Sequence, residues 1–349
     1  MRTYLLPENG TFYKANLHCH STISDGSLTP EEIKVQYMEE GYSIVAYTDH
    51  DIMIPHHELT DEHFLALEGY EMEINEDLGG LPGKFIRTCH LCFVSLVENP
   101  LQVCYHRTKH MPKCSQTSWH LAKFDDTLPD FERVYTPECI NEMIRRGVEA
   151  GFFVSYNHPT WSKEGYHEYM AYEGMHAMEI VNYSSQSIGY NEYNPRVFDD
   201  MLRAGKPVFC SATDDNHNHG KRGTPSYDSF GGFNMIKATA LTREAVGEAL
   251  FAGNFYASEA PLIYELYVED NEVHITTSPA REITLVTRTR AHRVAYATTD
   301  EQGNATPLTS ATFKFSPDDG YFYIVVTDNN GRHANTQAYN PETLTLANR

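Results

Sequence analysis

The strongest constraint on this chain is a repeated pattern: a short apolar run, then a helical stretch, with imidazole or carboxylate side chains where the apolar runs stop. Ala15-Asn16-Leu17-His18 reads as a strand. Thr29-Pro30-Glu31-Glu32 then opens a helix, with Thr29 as N-cap and Pro30 at the first helical position. Gly41 ends that helix, and Ser43 to Thr48 is the next strand. The pattern recurs as a helix over Pro137 to Ala150, strands over Gly151 to Tyr156 and within Met175 to Asn182, a helix over Pro195 to Ala204 and a strand over Lys206 to Ala212. Such alternation implies a parallel sheet with crossover helices. With 349 residues it is expected to form a closed or nearly closed barrel with an appendage.

After a last helix beginning at Thr242-Arg243-Glu244-Ala245, the pattern changes to short β-rich runs, from Tyr264 to Val268 through Tyr321 to Thr327, separated by turns such as Asp328-Asn329-Asn330-Gly331. This spacing predicts a small antiparallel sandwich. The expected division is residues 1–258 and residues 259–349. The stretch from Val97 to Phe131 lacks periodicity and reads as a long irregular insertion.

Histidine placement carries the chemistry. His18 and His20 flank Cys19 at a strand end, and residues two apart on a strand face the same side, so both imidazoles can reach one cation. Ser24-Asp25-Gly26 is a polar turn able to aim Asp25 back at the strand ends. Further runs finish in, or carry, Thr48-Asp49-His50, Glu71 and Glu73, Cys89-His90-Leu91-Cys92, Asn157-His158-Pro159 and Asp214-Asp215-Asn216-His217. In a parallel β/α barrel the strand ends meet on one face, where active sites sit. Any one of these histidines could be an ordinary core or surface residue, but the set on one face could not. Imidazole and carboxylate without thiolate favour Zn²⁺, Mn²⁺ or Fe²⁺. Clustered ions of this kind lower the pKa of bound water, supply a hydroxide nucleophile and neutralise an oxyanion.

The ordered series His18-Cys19-His20, Ser24-Asp25-Gly26, Thr48-Asp49-His50, Gly69-Tyr70-Glu71, His90, Asn157-His158-Pro159 and Asp215-Asn216-His217 resembles that of the PHP (polymerase and histidinol phosphatase) superfamily. It spans roughly Ala15 to Asn218. The stretch from Lys237 to Ser258 and the β-rich tail look like the PHP branch that includes carbamate and amide hydrolases. The resemblance implies a distorted (β/α)7 barrel with two or three divalent metals. One metal would take His18, His20, Glu71 and Asp215. A second would share Glu71 and take His90 and His158, and a third would take Asp25, His50 and His217. The implied reaction is hydrolysis of a small phosphorylated substrate, with Asp25 or His217 assisting proton transfer. The alternatives are carbamate or amide hydrolysis by the same metals, and a non-catalytic binding protein.

Glu71 and Glu73 share a strand face; the Gly-x-Glu pattern favours Glu71, and the Asp-x-His spacing favours Asp215 over Asp214. Asp49 is expected to orient a ligand histidine. Cys89-His90-Leu91-Cys92 does not make a zinc knuckle, since positions three apart on a strand face opposite sides. Lys221 and Arg222, soon after His217, are the expected anchors for a phosphoryl group, with Arg107 and Lys109 as reserves. With 27 basic against 48 acidic residues the net charge is -21, which disfavours duplex nucleic acid. No apolar stretch approaches bilayer length, and the seven scattered cysteines fit a reducing, cytoplasmic setting.

Overall fold

The computed structural model describes residues 2–78, 86–110, 115–299 and 305–347, so residues 111–114 of the irregular insertion lie outside the described residues. The strands before the tail are β1 (Thr3–Tyr4), β2 (Thr11–Asn16), β3 (Ile44–Tyr47), β4 (Leu65–Asn75), β5 (Thr88–Ser95), β6 (Phe152–Tyr156), β7 (Ala177–Asn182), β8 (Phe209–Thr213), β9 (Phe233–Ala238) and β10 (Phe255–Ser258). The tail adds β11 (Ile263–Glu269), β12 (Glu272–Ala280), β13 (Glu282–Thr287), β14 (Arg293–Tyr296), β15 (Thr298–Thr299), β16 (Ala305–Thr306), β17 (Leu308–Lys314), β18 (Phe322–Thr327) and β19 (His333–Asn335).

Local chemistry sets the helix starts. Thr29 Oγ1 accepts from Glu32 N while the Glu32 carboxylate accepts from Thr29 N, a reciprocal cap that leaves neither donor orphaned. Thr136 caps the helix Pro137–Glu149 through Cys139 N. The strand Ile44–Tyr47 is buried along its whole length, as a strand covered on both faces must be.

One large sheet runs β14-β13-β18-β19-β10-β9-β2-β3-β4-β5-β6-β7-β8. It is mixed, which corrects the all-parallel expectation. The pairs β2–β3, β3–β4, β6–β7 and β7–β8 are parallel, whereas β4–β5, β5–β6 and β2–β9 are antiparallel. Among the described residues no backbone ladder joins β8 to β9. The side chain of Asn234 bridges them instead, donating from Nδ2 to Ala212 O at 2.8 Å and accepting from Ala212 N at 3.1 Å. Gln337 does the same for Cys210, accepting from its N at 2.8 Å and donating to its O at 3.0 Å.

A separate antiparallel sheet, β1-β11-β12-β17, faces β13 and β18. Leu266, Val268, Val273 and Ile275 from one layer share an apolar cluster with Ile283, Leu285, Ile324 and Val326 from the other. One layer of the tail therefore continues the large sheet through the β10–β19 pairing, and the chain's first strand belongs to the other layer. No helix among the described residues is long and apolar enough to cross a membrane.

Candidate metal centre

The turns that follow β2, β3, β6 and β8, together with the adjacent strands β4 and β5, bring all nine expected ligand positions to one place. They form three groups that share members: His18, His20, Glu71 and Asp215; Glu71, His90 and His158; and His20, Asp25, His50 and His217. Two turn residues, His158 (φ 26°) and Asp215 (φ 52°), have left-handed backbone, a strain that concentrates at functional sites.

In the first group, His18 Nε2 and His20 Nε2 lie 3.1 Å apart, and they stand 3.1 and 3.0 Å from Asp215 Oδ1. The Glu71 oxygens are 3.3 Å from each of the two imidazole nitrogens. His18 Nδ1 meets Glu179 Oε1 at 2.7 Å. A carboxylate only accepts, so Nδ1 carries the hydrogen, and a neutral His18 turns its Nε2 lone pair toward the others. His217 is oriented the same way, its Nδ1 donating to Asp215 O at 2.9 Å, which leaves Nε2 facing Asp25 Oδ1 at 3.6 Å. Among the described residues, Asp215 Oδ1 and His50 Nδ1 are buried without a hydrogen-bond partner. Lone pairs converging on orphaned buried atoms is a donor set that fits divalent cations.

The charges of the cluster divide its members: Glu71 is held ionised and His50 neutral, whereas the carboxylates around His18, His20 and His158 outweigh burial and raise them toward the protonated form, so that metal binding there would displace protons. Burial disfavours the charged form of Glu71, but His18 and His90 outweigh it and hold its carboxyl well below the usual range. Burial and the neighbouring His20 push His50 down to about 3, keeping it the neutral imidazole a metal requires. Burial also lowers His158, but Glu71 and Asp215 reverse this and bring it up to about 9.

Glu71 sits at the junction: its Oε1 is 3.1 Å from His90 Nδ1 and 3.3 Å from His158 Nε2. Glu73 lies 3.6 Å from His90 Nε2, at the cavity wall. Asp214 faces away, accepting from Tyr37 Oη and from the backbone N of Phe230, Gly231 and Gly232. Among the described residues Asp49 bonds no histidine directly, contrary to expectation; it reaches His20 only through Ser24 Oγ, which lies 3.4 Å from His20 Nδ1. It accepts from Ser21 N and Oγ and from Ser24 N and Oγ, shaping the loop that delivers Asp25.

Three supporting residues were not anticipated. Glu179, fully buried, accepts from His18, Thr213 Oγ1, His158 N and Asn182 Nδ2 at 2.7 to 2.9 Å. Asn157 Nδ2 donates to Glu71 Oε1 at 2.8 Å, and Asn182 Nδ2 to Asp215 Oδ2 at 3.1 Å. The signal for Glu179 was available, since it is a lone carboxylate in the apolar run Ala177–Asn182. The irregular insertion and the residues that follow it also support the site. Gln102 Nε2 donates to Asp51 O, Ser115 Oγ to His50 O, and Arg133 to Glu73 O, while Arg133 pairs with buried Asp51.

A cavity of about 430 Å³ opens above the cluster, walled by Trp161, Ser184, Ser187, Ile188, His219 and Ser226. Trp161 packs edge-on to His90 and His158. The expected anchors are elsewhere. Arg222 pairs with Glu39 and Glu40 and lies over Phe230, and exposed Lys221 does not line the cavity. Arg107 is committed to Asp130 and Lys109 to Glu132.

No family model matches the chain, and no curated protein matches it. Solved structures do. One is a two-domain protein from Bacteroides vulgatus containing a predicted PHP-like metal-dependent phosphoesterase, with 17% identity, a TM-score of 0.45 and coverage of 93% of this chain and 94% of that one. Another is a proposed metal-dependent phosphoesterase from Bifidobacterium adolescentis, with 16% identity, a TM-score of 0.37 and coverage of 62% and 90%. A third is an amidohydrolase from Chromobacterium violaceum with bound sulfate and no metal, with 16% identity, a TM-score of 0.36 and coverage of 59% and 88%.

Proposed function

We propose that this chain is a metal-dependent hydrolase, and specifically a phosphoesterase acting on a small phosphorylated molecule, with the large sheet arranged as a distorted (β/α)7 barrel. The observation that carries the reading is Glu71, a buried carboxylate whose oxygens reach His18 and His20 on one side and His90 and His158 on the other. One carboxylate shared between two imidazole groups is the arrangement for holding two ions close together. Bound there, divalent zinc, manganese or iron would activate water at neutral pH and balance charge on a phosphoryl group. The chain's residues do the rest. Glu179, Asn157 and Asn182 fix the donor atoms, and Trp161 covers His90 and His158. Asp25, at 36% the most exposed of the nine side chains, is the group we assign to proton transfer toward the leaving group, with His217 behind it.

One observation favours a second reading, hydrolysis of a carbamate or amide at the same cluster. Among the described residues, no Lys or Arg lines the cavity, so a dianion has no side-chain cation to meet there. Hydrolysis assays on phosphomonoesters, phosphodiesters, amides and carbamates with Mn²⁺, Fe²⁺ or Zn²⁺ separate the two. Metal-dependent monoester hydrolysis, lost in His18→Ala/His20→Ala, is the expected result. Turnover of carbamates or amides alone would overturn the phosphoesterase reading, and metal-free protein after reconstitution would overturn both.

A further inference from the structure

The cavity wall opposite the cluster is carried by a short segment that the tail holds from behind. Ser184, Ser185, Ser187 and Ile188 belong to, or directly follow, the helix Tyr183–Ser187. A helix of this length cannot maintain itself, so its position depends on what it touches. On its inner side Asn182 caps it through Ser185 N. On its outer side Gln186 Nε2 donates to Glu259 Oε1 at 3.2 Å. Glu259 immediately follows β10, and its other oxygen accepts from His333 N at 3.0 Å and His333 Nδ1 at 2.9 Å. Its own N donates to His333 O at 2.9 Å.

The far end of the segment is held by the same strand of the tail. The Tyr193 ring stacks on His333 at 4.0 Å and 9°, and Tyr193 Oη donates to Asn335 Oδ1 at 3.1 Å. Between these anchors, Glu192 accepts from Thr160 N at 2.9 Å and Trp161 N at 2.7 Å, fixing the loop whose indole lies against His90 and His158. Both walls of the cavity thus connect through residues 183–193 to β19.

We infer that Glu259 is a positioning residue through which the C-terminal strands set the shape of the cavity and so take part in selecting its substrate. The inference rests on the reading of that cavity as the substrate site, but not on which bond is cleaved there. The Glu259 side chain is only 12% exposed and holds both Gln186 and the His333 backbone, so neutral truncation cuts the helical end of the segment from the tail while the Tyr193 contacts keep its far end. A glutamine can keep its oxygen for His333 N and Nδ1 and offer its amide to the oxygen of a flipped Gln186.

The test uses the full-length protein as Glu259→Ala, Glu259→Gln and Gln186→Ala, the last cutting the same link without touching the tail. Hydrogen–deuterium exchange read by mass spectrometry should show residues 183–193 exchanging roughly tenfold faster in Glu259→Ala and Gln186→Ala, as expected for loss of a charge-assisted hydrogen bond. Residues 15–20 and 209–217 and the manganese content should stay as in wild type, and Glu259→Gln should restore slow exchange. With p-nitrophenyl phosphate and Mn²⁺, KM should rise severalfold with a smaller change in kcat. Unchanged exchange over 183–193 in both truncations, or acceleration no larger than in the rest of the tail, overturns the inference. A protein inactive on every ester tested would count against the phosphoesterase reading, and the exchange data would still judge Glu259.

Discussion

Replacing Glu179 by glutamine is the most informative perturbation, because this residue was reached from the structure alone and touches two ligand histidines without belonging to the cluster. Its carboxylate takes four donors: His18 Nδ1 and Thr213 Oγ1 at 2.7 Å, and His158 N and Asn182 Nδ2 at 2.9 Å. An amide can accept from one side only; with its NH₂ turned to His18 and Thr213 the rotatable Thr213 hydroxyl can accept, so the His18 Nδ1–H is the donor left opposed, whereas the reverse orientation opposes both His158 N and Asn182 Nδ2. A buried donor left unpaired costs about 1–3 kcal/mol, so the fold should lose roughly that amount. Loss of the partner that fixes a ligand histidine lowers metal affinity about 10- to 100-fold, or about 1.4–2.7 kcal/mol. The assay is competition with a chelator of known affinity, read by elemental analysis, beside urea unfolding of the metal-free protein. Glu179→Gln should release its more weakly held metal first and unfold earlier. Metal affinity equal to wild type in a folded variant would refute the claim that Glu179 orients His18.

Wild-type protein should carry more than one equivalent of transition metal after reconstitution, and His18→Ala/His20→Ala should lose the ion held by the first group, which elemental analysis will show. Arg222→Ala should leave KM for a phosphomonoester unchanged and alter stability by less than about 1 kcal/mol, because its partners are the surface residues Glu39 and Glu40; a raised KM would place it at the site after all. Burial raises the Glu164 carboxyl although Tyr135, Tyr156 and Tyr172 all donate to it. A raised folded value means that its contribution to stability is complete below its ordinary 4.5 and is lost as pH rises through the folded value. Urea midpoints should therefore fall in wild type relative to Glu164→Gln as pH rises above 4.5, and parallel profiles would contradict the assignment.

The nine converging positions were legible because strand alternation is local: a residue's face follows from its neighbours, and strand ends collect on one side of the sheet. Glu179 stood out as a lone carboxylate in an apolar run, but its role was not legible, because its partner His18 is 161 positions away and only the assembled sheet brings them together. The antiparallel placement of Thr88–Ser95 between β4 and β6 was hidden for a similar reason, since an apolar strand does not announce its direction. Arg222 was misjudged because nearness to His217 in sequence was read as nearness in space; the loop turns its guanidinium back onto the helix Pro30–Glu39 and the residue after it. The bridging of β8 and β9 by Asn234 has no pattern to detect, because one side chain there does the work of a ladder.

The insertion between β5 and β6 has a consequence for how such a chain can vary over generations. Irregular surface stretches usually tolerate gain and loss of residues, since water satisfies whatever backbone the change exposes. Here Gln102, Ser115 and Arg133 fasten that stretch to the backbone of His50, Asp51 and Glu73. Lengthening or shortening should be tolerated best on the exposed stretch around Trp119–Leu121, whereas buried Cys104 and Tyr105 tie the residues after Gln102 to the core. Deletion of an anchor should be felt at the His50 turn, so a region that looks free to drift is divided into drifting spans and fixed points.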